Sequence, residues 1–113
     1  MSNIIDIKAR VLRKYDLDMA IRYVAEKTSA LTVNDPMHIY YFKLTIEYMI
    51  EGGKDYHKSI EENFKNFFAF IAANNIEYPC IKQVIDMELD FYMSTGQIDK
   101  AIDANKRNKL FEL

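Results

Sequence analysis

Residues 92–102 read YMSTGQIDKAI and carry the clearest structural signal in the chain. The Ser-Thr-Gly segment at its centre is typical of a helix end, because glycine accepts the positive φ angles that close a last turn. Ala101 and Ile102 follow in the first turns of a second helix, where a small residue lets two helices approach closely. The segment therefore predicts a hairpin of two antiparallel helices.

A similar pattern recurs twice upstream of this segment. Residues 16–21 read DLDMAI, residues 55–60 read DYHKSI and residues 97–102 read QIDKAI. Each begins with a polar and then a bulky residue, and each ends with a small residue followed by Ile. The final isoleucines are spaced by 39 and 42 residues, within the roughly 20–50 residues typical of stacked helical-hairpin repeats.

Apolar periodicity and turn residues divide the chain into six predicted helices. Apolar residues recur every three to four positions, and no alternating segment is long enough to compete as a strand. We expect a break near Tyr15, with Asp16 capping the second helix, and another start at Asp35 and Pro36. The predicted fold is all-α, a single domain over 1–113 with three stacked hairpins at about 3–30, 36–75 and 78–111.

The third hairpin resembles a tetratricopeptide repeat (TPR). That pattern has a Tyr four residues before a loop Gly and a small Ala five residues after it, as in Tyr92, Gly96 and Ala101. The sequence departs from the pattern at Asn105 and Asn108, where an aromatic residue and an Ala are expected. The resemblance implies a right-handed array of hairpins that binds a protein or peptide in a concave groove lined by the first helix of each unit.

The irregular spacing near 40 residues is also similar to that in peptide-sensing regulators of Gram-positive bacteria, of the Rap, Rgg and PlcR type. This second resemblance implies a regulatory module that binds a peptide segment. Neither resemblance implies a chemical reaction.

The predicted groove follows from the TPR geometry and from the helix expected at about 36–51, which is apolar on two sides. A helix apolar on both sides must bury both. The residues expected to contact a partner are Leu12, Ile39, Phe42, Ile46, Met49, Ile50, Gln83, Asp86 and Met93. Three occupants of the groove floor stay open: a protein or peptide segment, a second copy of the chain in a homodimeric scaffold, or the chain's own core.

Charge and residue chemistry argue against other classes of function. Fifteen basic and 17 acidic residues give a net charge of −2, which provides no basic field for nucleic acid. His38 and His57 lie in different predicted helices without metal-ligand spacing, and we expect the lone Cys80 to be a buried or partly buried small hydrophobe. No nucleophile–base pair or cofactor loop is recognisable, so we expect no enzyme, no metal and no cofactor.

The compartment is predicted from the same features. A single cysteine cannot form an internal disulfide, which favours a reducing, cytoplasmic location. The most apolar stretch is interrupted by Lys43, Glu47 and Glu51, and it stays short of the roughly 18 residues needed for a membrane span. We therefore expect a soluble protein without a membrane partner.

Overall fold

A computed structural model describes the backbone of residues 2–111 and the side chains of residues 13–111. The described backbone is helical with no strand, which confirms the expected all-α fold class. Its five α-helices and two short 3₁₀ turns are α1 (Ser2–Ser29), α2 (Met37–Glu51), a turn at Gly53–Tyr56, α3 (His57–Ala73), α4 (Ile81–Ser94), α5 (Ile98–Asn108) and a turn at Lys109–Phe111.

The predicted break near Tyr15 is wrong, because α1 continues through it without interruption. Asp16 lies inside this helix instead of capping a second one. The stretch contains no Gly or Pro, and an exposed Asp in a helix interior costs only a few tenths of a kcal/mol, about 0.7 at most. The apolar periodicity is interrupted by polar residues near Tyr15, but the helix continues through them. The structure therefore describes five helices where six were expected.

The helices α1 and α2 pack against each other as an antiparallel hairpin. The loop between α1 and α2 ends at Asp35 and Pro36, as predicted. The side-chain Oδ1 of Asp35 accepts a hydrogen bond of 2.9 Å from the backbone N–H of Met37, the first residue of α2. Pro36 precedes the first helical residue and has helical backbone angles. At the other end of the hairpin, Arg13 forms an exposed ion pair of 3.3 Å with Glu51.

A second close hairpin joins α4 to α5 at residues 92–102. Gly96 has the positive φ of 74° expected of a residue that ends a helix. The backbone N–H of Gln97 donates to the carbonyl of Tyr92 over 2.8 Å, and Ala101 is buried. This tight loop and the buried small residue agree with the hairpin predicted there.

The chain divides into two compact units, Met1–Asn63 and Phe64–Leu113. The buried apolar residues of the first unit are Leu17, Val24, Ile39, Ile46, Met49, Tyr56 and Ile60. Those of the second are Phe64, Phe68, Ile71, Ile76, Tyr78, Val84, Ile85, Phe91, Tyr92, Ala101 and Ala104. The helix α3 contributes its first turns to one unit and its remainder to the other.

Candidate functional site

The α2 residues expected on the groove floor lie mainly in the core of the first unit. Ile39 and Met49 are buried, and Ile46 is 0% exposed. The amide nitrogen of Asn63 lies 3.9 Å from the sulfur of Met49, which places the first part of α3 against this face. In the described structure the chain itself covers these three side chains, which corresponds to the third occupant considered for this face, the chain's own core.

The other predicted groove residues of the first unit do not form a common surface with these three. Phe42 is half-buried, whereas Ile50 is exposed and lies beyond the buried face of α2. The side chain of Leu12 lies outside the described residues. The sequence predicts that α2 is apolar on two sides and buries both, whereas its fully buried residues, Ile39, Ile46 and Met49, lie on one side.

The three predicted groove residues of the second unit share one exposed face of α4. Gln83, Asp86 and Met93 are all exposed, and their spacing of three and seven residues aligns them along the helix. They follow the solvent side of α4, opposite the side that carries Val84 and Phe91. Gln83 and Asp86 are polar and agree with a solvated helix face, and Met93 is an exposed apolar residue on the same face.

The described cavities of interest lie instead in the second unit, at the connection from α3 to α4. One has a volume of about 230 Å³ and the other of about 600 Å³. They share four lining residues: Glu77, Tyr78, Ile81 and Phe111. We call the two together the α3–α4 cleft. The first extends to Ile71, Ala72, Asn75, Ile76 and Leu110, and the second to Pro79, Lys82 and Ile85.

The sequence builds the first wall of the α3–α4 cleft by ending α3 at a pair of asparagines. Asn75 has a positive φ of 52°, a left-handed conformation that Asn tolerates better than most residues. The following N–H, of Ile76, donates to the carbonyl of Ile71 over 3.0 Å, which is the long closing bond of a Schellman motif. This reversal turns Ile76 inward, where it is buried and forms part of the cleft floor.

Aromatic contacts fix the other walls. The ring of Tyr78 stacks on Phe67 at a centroid distance of 6.3 Å, with an angle of 19° between the ring planes. The ring of Phe111, on the last described 3₁₀ turn, lies 5.4 Å from that of Phe68. The wall that Phe111 provides is therefore held against α3 by a ring contact and not by the short turn alone.

A polar network lies behind the ring of Phe68. The guanidinium of Arg107 lies 5.0 Å from the centre of that ring and forms an ion pair with Glu88. Glu88 is completely buried, and its Oε1 also accepts a hydrogen bond of 2.9 Å from Asn108. These contacts tie the end of α5, and hence the turn that carries Phe111, to the middle of α4.

The α3–α4 cleft is apolar at its floor and charged at its edge. Ile71, Ile76 and Tyr78 are buried, whereas the acidic Glu77 and the basic Lys82 are exposed. An apolar depression with a few charged groups at the rim can bury an apolar side chain and orient the chain that carries it. The arrangement is therefore suited to binding a ligand that carries both apolar and charged groups.

His38 and Cys80, which the sequence analysis considered for metal binding or catalysis, have contacts and exposure that need no catalytic role. The Nε2 atom of His38 lies 2.8 Å from the carbonyl oxygen of Thr32, a contact that helps to close the loop before α2. Cys80 is exposed, so the expectation of a buried or partly buried cysteine is wrong. Among the described residues, no three His, Cys, Asp or Glu side chains are grouped closely enough to hold a metal ion.

Sequence reasoning located the connection between α3 and α4 but missed the cleft. The Asn-Asn pair and Tyr78-Pro79 indicate where one helix ends and the next begins. Leu110 and Phe111 come from about thirty residues further along the chain, and local periodicity carries no information on such a contact. The available signal for this contact was the apolar pair Leu110-Phe111, which follows the basic end of the last helix.

Comparisons with protein-family models, curated proteins and solved structures find no match for this chain. Within residues 2–111, no helix is both long and apolar enough to span a bilayer.

Proposed function

We propose that this chain is a non-catalytic binding module that accepts a short apolar peptide segment of a partner protein in the α3–α4 cleft. The observation that carries the proposal is the pair of adjoining cavities that share Tyr78, Ile81 and Phe111. Two depressions joined by a common wall are suited to two apolar side chains of one extended or helical segment.

The chemistry of the lining supports a peptide as the occupant. Most of the lining side chains are aliphatic or aromatic, and these residues provide buried contact area. Glu77 and Lys82 carry opposite charges at the rim, so a peptide with both a basic and an acidic group could pair with them. The larger cavity, at about 600 Å³, is within the roughly 300–1,000 Å³ of common ligand pockets.

A selection from a random displayed-peptide library tests the proposal, with the full chain as bait. We expect the selected peptides to share two apolar positions, and we expect a synthetic copy of one to bind in solution. The exposed Cys80 lies between the lining residues Pro79 and Ile81, so an environment-sensitive dye on its thiol would report binding.

Two neighbouring alanines provide a matched pair of variants. Ala72 and Ala73 are both exposed in the last turn of α3, but only Ala72 lines the α3–α4 cleft. Ala72→Phe should fill the smaller cavity and weaken peptide binding about tenfold or more, since an anchor residue is displaced. Ala73→Phe should leave binding unchanged. Failure to select any peptide, or equal binding by both variants and the wild type, would overturn the proposal.

A further inference from the structure

The last described turn of the chain places its own side chains in the α3–α4 cleft. Lys109–Phe111 forms a 3₁₀ turn directly after α5. Leu110 lines the first cavity, and Phe111 lines both cavities. Phe111 therefore lies at the boundary that the two cavities share. We call this turn of three residues the Phe111 strap.

The ring of Phe111 covers a buried aromatic side chain. Its centroid lies 5.4 Å from that of Phe68, which is 2% exposed, and the two ring planes are inclined at 31°. Aromatic pairs at such distances attract each other beyond the area that they bury. Phe111 itself is only half-buried, so it shields Phe68 while part of its own surface stays accessible.

The Phe111 strap is fixed where it begins and exposed further along. Asn108, the last residue of α5, is completely buried and donates a hydrogen bond of 2.9 Å to Oε1 of Glu88. The next residue, Lys109, is exposed, and Leu110 is 81% exposed. Rotation of the backbone after Asn108 would therefore move the strap out of the cleft while the buried contacts at the end of α5 stay in place.

We propose that the Phe111 strap is an autoinhibitory occupant of the α3–α4 cleft, and that a partner peptide displaces it on binding. This inference rests on the proposed peptide-binding function and adds its regulation. Displacement of the strap joins the two cavities and the surface of Phe68 into one apolar trough. The peptide that fits this trough supplies what the strap supplies, an aliphatic residue followed directly by an aromatic one.

Competition with the strap lowers the affinity for any partner peptide. A site that is open in a fraction of the molecules binds with an affinity reduced by that fraction, so a strap closed in about nine of ten molecules weakens binding about tenfold. The strap is also tethered beside its site, at an effective concentration on the order of millimolar. A free copy of the same segment therefore competes poorly with it.

A synthetic peptide with the sequence of residues 106–113, KRNKLFEL, tests the strap directly. The peptide is titrated into the full wild-type chain and into its Phe111→Ala variant, with calorimetry as the readout. The variant vacates the space beside Phe68, so it should bind the peptide about tenfold more tightly than the wild type. The same peptide with Phe111→Ala should bind neither chain. Phe70→Ala removes a phenylalanine of α3 that is 37% exposed and outside the cleft lining, so it should behave as the wild type.

A peptide from the library selection provides the second arm of the test. An inhibitory strap predicts that Phe111→Ala binds this peptide about tenfold more tightly than the wild type. A fixed wall predicts weaker binding, because the variant loses contact area. Hydrogen exchange of the wild type needs no variant: the amides of residues 109–111 should exchange faster in the complex, since the strap has left the cleft.

Two results would overturn the inference. One is equal or weaker binding of the selected peptide by Phe111→Ala. The other is slower exchange of residues 109–111 in the complex, which would identify the strap as part of the binding surface. Both results require that the wild type binds the selected peptide, so both leave the proposed function in place. A wild type that selects no peptide removes the proposed function instead, and the two failures are distinguishable.

Discussion

The phenolic hydroxyl of Tyr56 donates a hydrogen bond of 2.5 Å to Oδ1 of Asp18. This bond joins the 3₁₀ turn after α2 to the middle of α1, two segments that are 38 residues apart in the sequence. Tyr56 is buried, whereas its acceptor Asp18 is exposed, so the bond is partly buried. It closes the end of the α1–α2 hairpin that lies away from the interhelical loop.

Alkaline pH should weaken the first unit through Tyr56. Burial, the hydrogen bond to Asp18, and the negative charges of Asp18 and Asp55 raise the pKa of Tyr56 from 10.0 to about 12. A raised tyrosine pKa means that the folded state favours the neutral phenol. The resulting stabilisation is complete below pH 10 and is lost as the pH rises towards about 12.

The measurement is the free energy of urea unfolding at a series of pH values, for the wild type and for Tyr56→Phe. Other tyrosines and the lysines also titrate in this range, so the difference between the two proteins is the informative quantity. We expect the wild type to lose its advantage between pH 10 and 12. A difference that does not change with pH would contradict the assignment.

Gly52 should be required because of the same tyrosine. A β-carbon at this position would overlap the ring of Tyr56, although the backbone angles of Gly52 (φ −71°, ψ −14°) suit any residue. We expect Gly52→Ala to destabilise the chain by about 1–3 kcal/mol through steric overlap. In a Tyr56→Ala background the overlap is absent, so the added cost should disappear in a double-mutant cycle. Additive costs would show that the ring does not restrict this glycine.

Much of the fold could be predicted from local signals in the sequence. The Asp35-Pro36 start, the Gly96 loop and the buried Ala101 follow from the conformations that these residues allow, and the structure places each of them accordingly. The break near Tyr15 failed because a pause in apolar spacing is weaker evidence than a Gly or a Pro.

The repeat alignment shows that a local sequence pattern does not predict which residues are buried. It grouped the isoleucines that close its three segments, yet Ile60 is buried while Ile102 is exposed. Similar short patterns have different environments because the burial of a residue depends on which distant segment packs against it. The sequence pattern left the occupant of the groove floor open and missed the α3–α4 cleft for that reason, since both depend on contacts between residues far apart in sequence.

Glu88 should be the most sensitive charged residue of the second unit. It is completely buried, with Arg107 and the buried Asn108 as partners. Glu88→Leu removes the acceptor from both, and it should cost about 1–3 kcal/mol because the buried amide of Asn108 loses its partner while the partly exposed Arg107 can turn to water. Chemical denaturation measures the loss. Asp90→Leu, at an exposed position on the same helix, should change stability by less than about 0.5 kcal/mol.

A milder change at the same position separates charge from hydrogen bonding. Glu88→Gln retains an oxygen acceptor for Asn108 but removes the ion pair with Arg107, so its cost should fall between those of the two leucine variants. Equal losses for Glu88→Gln and Glu88→Leu would show that the charge alone matters.

Ala101 should tolerate no larger side chain. It is buried in α5 next to α4, at the close helix contact predicted for the third hairpin. Ala101→Leu overpacks this contact and should lower the free energy of unfolding by about 1–3 kcal/mol. Ala73→Leu makes the same change at an exposed helical position and serves as the control. Equal melting temperatures for the wild type and Ala101→Leu would contradict the close contact.

The face of α2 that was expected to line a groove provides the last prediction. Ile46 is 0% exposed, so Ile46→Asp would place a carboxylate in the apolar core without a partner of opposite charge. Such a change is among the few single substitutions that unfold a small protein. Ile50→Asp introduces the same charge one turn away at an exposed position and should keep the fold.

Thermal melting and sedimentation on both variants distinguish the three occupants considered for this face. Loss of a cooperative transition in Ile46→Asp alone identifies the face as core, which is the result expected from the burial of Ile46. A folded Ile46→Asp variant that sediments as a monomer, where the wild type forms a dimer, would indicate a second copy on this face. A folded variant with an unchanged mass would mean that the face is open, as the TPR geometry implies.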